Sequence, residues 1–268
     1  MPLAYYSRAA SQEFWSEHWA GEDVRALVDV ARVSPLTSII ERALPPRGRL
    51  LEAGCGLGPY VILLRERGRA IAGVDWSLDA LGRCKAAAPA APLAVMDLGA
   101  LAMGDGVVDA YVSLGVVEHD PRGPAAIVAE AARVLAPRGR LLLSVPYWNG
   151  VRRLCACHLA REARRLRDAG GEFYQFAFTR REIRTFLEAH DFRVLSFHPY
   201  DPARMPRKAL ARLVGRPRRD ASPLPNVEVN PTERATRGAL RPVVKRLAYS
   251  QVSLRLFGHM ILAVAVRS

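Results

Sequence analysis

Three glycines at alternate positions, Gly54, Gly56 and Gly58, follow a short apolar run in the stretch LEAGCGLGPY, residues 51–60. Glycine lets a backbone turn sharply and lets a ligand come close to it, so the stretch is a candidate cradle for a nucleotide-like group. Glu52 stands two residues before the first glycine and Pro59 directly after the last. Proline at the first helical position gives up only an N–H that would lack a partner anyway, so a helix is expected to open there. The positive end of its dipole suits a carboxylate at least as well as a phosphate. Nineteen residues after Gly56 comes Asp75, followed by Trp76; Asp97 and Leu98 close a third apolar run. A carboxylate at a strand end can accept both hydroxyls of a ribose. An indole offers its face to a purine, and Asp97 can accept from an adenine amino group.

The ligand could be a dinucleotide or a nucleoside joined to an amino acid, and the spacing separates them. A dinucleotide turn needs G-x-G-x-x-G, whose third glycine packs helix against strand. Here that position is Pro59, and the pattern is G-x-G-x-G. After the fourth apolar run stand Glu118, His119 and Asp120. His119 is the candidate general base, because its intrinsic pKa lies near neutrality. The competing reading is that it caps the next helix or closes the ligand pocket. The other histidines show no metal-ligand spacing, so no metal is expected.

Strands must carry these acids and helices must bridge the strands. Runs at 49–54, 70–75, 92–97, 107–115 and 140–146 are short, continuously apolar and rich in Val, Leu and Ile, as in a parallel sheet covered on both faces. Helical stretches at 59–68, 78–88 and 124–136 alternate with them, which predicts a doubly wound α/β fold. Residues 1–45 read as helical, with aromatics Tyr5, Tyr6, Trp15 and Trp19 as material for a lid. Residues 151–169 read as a basic helix. At 179–190 a helix is capped by Thr179 with Glu182 three residues on. Strands are expected at 192–200 and 259–266, and 201–238 as a Pro- and Arg-rich loop with short helices. Tyr147 and Trp148 are candidates for an acceptor pocket.

The segments LLEAGCGLGPY, GVDWS, VMDLGAL, VSLGVVEH and RVLAPRGRLLLSVP resemble the successive motifs of class I S-adenosylmethionine-dependent methyltransferases. The resemblance covers roughly residues 45–147. It implies a Rossmann-like, mostly parallel seven-stranded sheet whose last strand runs antiparallel, with S-adenosyl-L-methionine as cofactor. The implied cofactor contacts are Glu52, Gly54, Gly56, Gly58, Asp75, Trp76, Asp97, Leu98 and Ser113, with Glu52 orienting either the methionine amino group or the glycine loop. The fourth strand ends Ser113-Leu114-Gly115, where many members carry Asp or Asn. The expected organisation is a helical N-terminal lid at 1–45, a cofactor-binding core at 46–147 and a basic helical insertion at 148–178. Residues 179–268 complete the sheet around a basic insertion at about 200–256.

Among 268 residues, 1–150 hold fifteen basic and sixteen acidic side chains, while 151–268 hold twenty-four and ten. The whole excess of +13 therefore belongs to the second half, which points to an anionic partner or to an arginine-rich source composition. The expected acceptor is a small molecule, anionic or lipid- or sugar-linked, with peripheral membrane contact as one use of the charge. An RNA methyltransferase and a non-catalytic cofactor-binding partner are the alternatives. The absence of an N/D-PPY-type tetrapeptide or RNA-modifying cysteine pair argues against nucleic acid, and the intact cofactor motifs argue against a non-catalytic partner. Four scattered cysteines, no apparent leader and no run of the roughly 18 apolar residues a membrane span needs suit a cytoplasmic protein.

Overall fold

The computed structural model describes residues 2–202 and 249–268. The chain opens with strand β1 (Leu3–Ser7), then helices α1 (Gln12–Ala20), α2 (Val24–Val33) and α3 (Pro35–Ala43). Ser11 and Asp23 cap α1 and α2 by accepting from the N–H groups of Phe14 and Ala26. The strand at 3–7 corrects the helical reading of 1–45. Helices α2 and α3 pack into the core through Val28, Leu36 and Ile40, while Leu27 of α2 is buried and also reaches the cleft described below.

The alternating core follows as β2 (Arg49–Ala53), α4 (Pro59–Glu66), β3 (Ala70–Asp75), α5 (Leu78–Ala87), β4 (Leu93–Val95), β5 (Val108–Leu114), α6 (Ala125–Val134) and β6 (Leu135–Pro146). Beyond it lie α7 (Gly150–Leu154), α8 (Ala156–Asp168), β7 (Glu172–Ala177), α9 (Arg180–Glu188), β8 (Phe192–Tyr200), α10 (Gln251–Phe257) and β9 (Met260–Arg267). The expected insertion at 148–178 thus ends in a strand, β7, which pairs antiparallel with β1 as a separate two-stranded ribbon. Most of the expected insertion at 200–256 lies outside the described residues.

The main sheet has the order β4-β3-β2-β5-β6-β9-β8. β2, β3, β4, β5 and β6 run parallel, and β9 slots antiparallel between β6 and β8. This is the doubly wound, mostly parallel, seven-stranded sheet with an antiparallel last strand that the motifs implied. One apolar layer joins the sheet to α2, α3 and α4 through Leu27, Ile40, Tyr60 and Leu63. The other joins it to α6 and α9 through Val128, Val134, Ile183 and Leu187. The capping box at Thr179 and Glu182 is present, with reciprocal bonds of 3.2 and 2.9 Å. All parallel strands deliver their carboxyl ends to one edge, and the site is built there.

Candidate functional site

A cleft of about 940 Å³ opens at the carboxyl ends of β2, β3, β4 and β5. Glu52, Gly54, Asp75, Trp76, Asp97 and Leu98 line it, and His119 stands on its wall. Three of the predicted contacts do not line it: Gly56, Gly58 and Ser113. Each has a physical reason. The α-carbon of Gly56 (φ +53°) lies directly under the indole of Trp19, so a β-carbon there would strike the ring. Gly58 (φ +66°) sits against Cys84 of α5 and enters α4 in the left-handed region that glycine tolerates. Its glycine serves helix packing. Ser113 is fully buried within β5, and the next residues, Leu114 and Gly115, reach the cleft in its place. Tyr147 and Trp148 also stand outside the lining.

The two innermost acids hold the glycine loop. Asp75 accepts from the Gly56 N–H at 2.8 Å through one oxygen and from the Ser77 N–H at 2.9 Å through the other. Glu52 accepts from the Val61 N–H at 3.0 Å, in the first turn of α4. Both carboxyls are buried. Burial pushes Glu52 up to about 8 and raises Asp75 against the pull of its backbone donors. Asp97 is exposed at the rim, with one oxygen accepting from the Gly99 N–H at 2.8 Å.

Helix α1 crosses the cleft and is pinned at both ends. Gln12 donates to the Trp76 carbonyl at 2.9 Å, and Arg83 of α5 donates to the carbonyls of Trp19 and Glu22. Trp15 and Trp19 stack at 6.0 Å and both line the cleft. His119 ends a single 3-10 turn, Val117–His119, directly after β5. Its Nδ1 lies 2.7 Å from the Tyr174 carbonyl of β7. A carbonyl only accepts, so Nδ1 carries the proton and Nε2 the lone pair. Burial pushes this imidazole down to about 4, and its ring packs edge-on to Trp15 and Tyr174 at 5.1 and 5.0 Å. Beneath it, Glu118 is completely buried, with a carboxyl oxygen 4.0 Å from His119 Nε2 and burial pushing it up to about 8.

Sequence reasoning missed Tyr174, Gln12 and Arg83. Each acts with or upon a main-chain carbonyl, and a carbonyl carries no residue signature. Among the described residues, no group of three or more His, Cys, Asp or Glu is arranged to hold a metal.

The donor set fits a nucleoside bearing a cationic amino-acid tail. Carboxyls stand at three successive strand ends, an indole edges the cleft, and the one oxygen of Glu52 bonded to Val61 leaves the other for an ammonium. The fold is Rossmann-like, and the cleft stands at the strand ends where such folds bind nucleosides. Residues 51–143 match the family model described as "Methyltransferase domain". They are a class I S-adenosylmethionine-dependent methyltransferase domain, and its cofactor is S-adenosyl-L-methionine. A protein named "probable S-adenosylmethionine-dependent methyltransferase" from Mycolicibacterium smegmatis is 34% identical over 97 residues, 36% of this chain and 37% of the relative. The match thus spans well under half the length of that curated relative. Among solved structures, a chain from the complex between the Haloferax volcanii Trm112 methyltransferase activator and a methyltransferase superposes with TM-score 0.59 at 16% identity, over 94% of this chain and 97% of its own. An S-adenosylmethionine-dependent methyltransferase from Mesorhizobium loti gives 0.56 at 16% identity, over 90% and 100%. At such identities these likenesses establish the fold alone.

Proposed function

We propose that the chain moves a methyl group from S-adenosyl-L-methionine to a small-molecule or lipid- or sugar-linked acceptor. The observation that carries this reading is the single cleft that gathers Glu52, Asp75, Trp76 and Asp97 under the cover of α1. At about 940 Å³ it stands near the top of the roughly 300–1,000 Å³ usual for ligand pockets, which leaves room for an acceptor beside the cofactor.

The bound sulfonium supplies an already activated methyl, so no covalent nucleophile from the protein is required. The chain's work is to orient and to exclude water. Glu52 and Asp75 fix the glycine loop, and their remaining lone pairs face an ammonium and ribose hydroxyls. Trp15 and Trp19 roof the cleft. His119 is held in one tautomer by the Tyr174 carbonyl, with its lone pair on Nε2. A basicity near 4 makes it a poor base at neutral pH, which supports a wall that positions the acceptor over a general base.

Titration calorimetry tests the reading. S-adenosylhomocysteine is expected to bind at micromolar affinity and NAD not at all; the reverse pattern overturns it. Asp75→Ala should weaken S-adenosylhomocysteine by about 1–3 kcal/mol, because it removes an acceptor of two loop N–H groups together with a ligand contact.

A further inference from the structure

The basic helical stretch invited two uses, as a cover for the acceptor or as a docking surface. None of residues 150–168 lines the cleft. Helix α8 rests only a narrow seam of Ala156, Leu159 and Ala163 on the protein, against β1, and none of its residues is buried. Its other sides hold Arg161, Arg164, Arg165 and Arg167, all exposed. Arg167 pairs with Asp168 at 3.4 Å; Arg161, Arg164 and Arg165 make no ion pair among the described residues.

Apolar side chains stand out beside this charge. Leu154 of α7 is 85% exposed and Val252 of α10 68%, on two helices that pack together where Leu256 meets Gly150. Val33 and Leu78 are as open as Val252, so exposure alone does not single these residues out; Leu154 and Val252 differ in standing on α7, which adjoins the arginine-bearing α8, and on α10 packed against α7. The surface is also coupled to the cleft. α8 packs on β1, β1 pairs with β7, and the β7 carbonyl of Tyr174 holds His119 on the cleft wall. Arg152, buried between α7 and β1, locks the layers by donating to the Tyr147 carbonyl at 2.5 Å with its guanidinium over the Tyr5 ring.

We infer that the face formed by α7, α8 and α10 docks on an anionic lipid bilayer, with the arginines at the headgroups and Leu154 and Val252 entering the interface. Charge complementarity selects this occupant. Clustered basic residues flanked by exposed aliphatics match a surface that is negative outside and apolar just beneath. The acceptor class that follows, a lipid-anchored molecule, rests on the methyl-transfer reading; the docking itself does not.

Co-sedimentation with phosphatidylcholine vesicles, with and without phosphatidylglycerol, tests it. The protein is expected to pellet only with the phosphatidylglycerol vesicles at low salt and to be released at about 0.5 M salt. The triple variant Arg161→Glu, Arg164→Glu, Arg165→Glu should weaken this partition at least about tenfold. The control triple Arg47→Glu, Arg138→Glu, Arg193→Glu makes the same charge change on residues that do not line the cleft. It should stay within about threefold of the parent, since charges off the docking face act only through the screened net field. Leu154→Ser with Val252→Ser should weaken the low-salt partition while leaving its salt dependence as in the parent. No pelleting at low salt, equal loss in the control triple, or tighter retention by single-stranded RNA than by the vesicles overturns the inference. S-adenosylhomocysteine affinity is measured on every variant. Its absence in the parent would sink the methyl-transfer reading alone, while its retention in the α8 triple separates docking from cofactor binding.

Discussion

The cofactor edge and the α7–α8 face are built on opposite terms. At the edge, two carboxyls are withdrawn from water and accept from the N–H groups of the glycine loop and of the first turn of α4, so acid is buried to shape backbone. On the face, Arg161, Arg164, Arg165 and Leu154 stay in solvent and make no ion pair or core contact among the described residues. The first region contributes to the fold as it builds a site. The second costs the fold little and gains its use from outside. The contrast teaches where mutation will be felt: the same charge change should be severe in one region and silent in the other.

The sharpest test of the comparison is Gly56→Val. It places a branched side chain at φ +53° and drives a β-carbon into the Trp19 ring. Left-handed strain of about 1–2 kcal/mol and overpacking of about 1–3 kcal/mol should lower stability in chemical denaturation by roughly 2–5 kcal/mol together. Retained stability with normal cofactor affinity would mean that α1 does not sit on the loop.

A middle-sized effect comes from pH. Below 4.5, Glu52 and Glu118 are protonated whether the chain is folded or not. Between 4.5 and about 8 unfolding releases their protons, so stability without cofactor should fall as pH rises, by at most about 1.4 kcal/mol per pH unit for each group. Above 8 the decline should stop. Glu52→Gln should remove its share of the slope in thermal melts run from pH 5 to 8. A slope the substitution leaves unchanged would show that Glu52 is ionised in the free protein.

The smallest effect is expected on the face. Arg164→Ala with Arg165→Ala should change stability by under about 0.5 kcal/mol and leave S-adenosylhomocysteine affinity alone, since both side chains are exposed and neither makes an ion pair among the described residues. A larger loss by denaturation or calorimetry would erase the distinction between the regions.

Legibility in the sequence followed the same division. Asp75, Trp76 and Asp97 could be placed because strand ends are marked by apolar runs that stop, and a parallel sheet sends them all to one edge. The antiparallel β9 between β6 and β8 was legible only through motif resemblance, because order in a sheet is set by distant pairing. Gly58 and Ser113 fall outside the lining for a related reason. A glycine needed for packing on Cys84 is spelled like one that meets a ligand, and one residue of strand phase decides whether Ser113 or Leu114 faces the cleft. β1 was hidden because its partner, β7, lies some 170 residues away, beyond any local pattern.

The position of β9 also bears on how the chain is made. Among the described residues β8 has one neighbour in the sheet, and that neighbour, β9, begins about sixty residues later. At roughly 5–20 residues per second, β8 emerges from synthesis some 3–12 seconds before β9. During that interval its backbone donors and acceptors form an open edge, the kind that pairs with other chains. Phe192, Pro199 and Tyr200, later buried in or beside the core, are exposed with it. Yield of folded protein should therefore depend on translation speed across the segment between the two strands, in a way that no property of the finished fold would reveal.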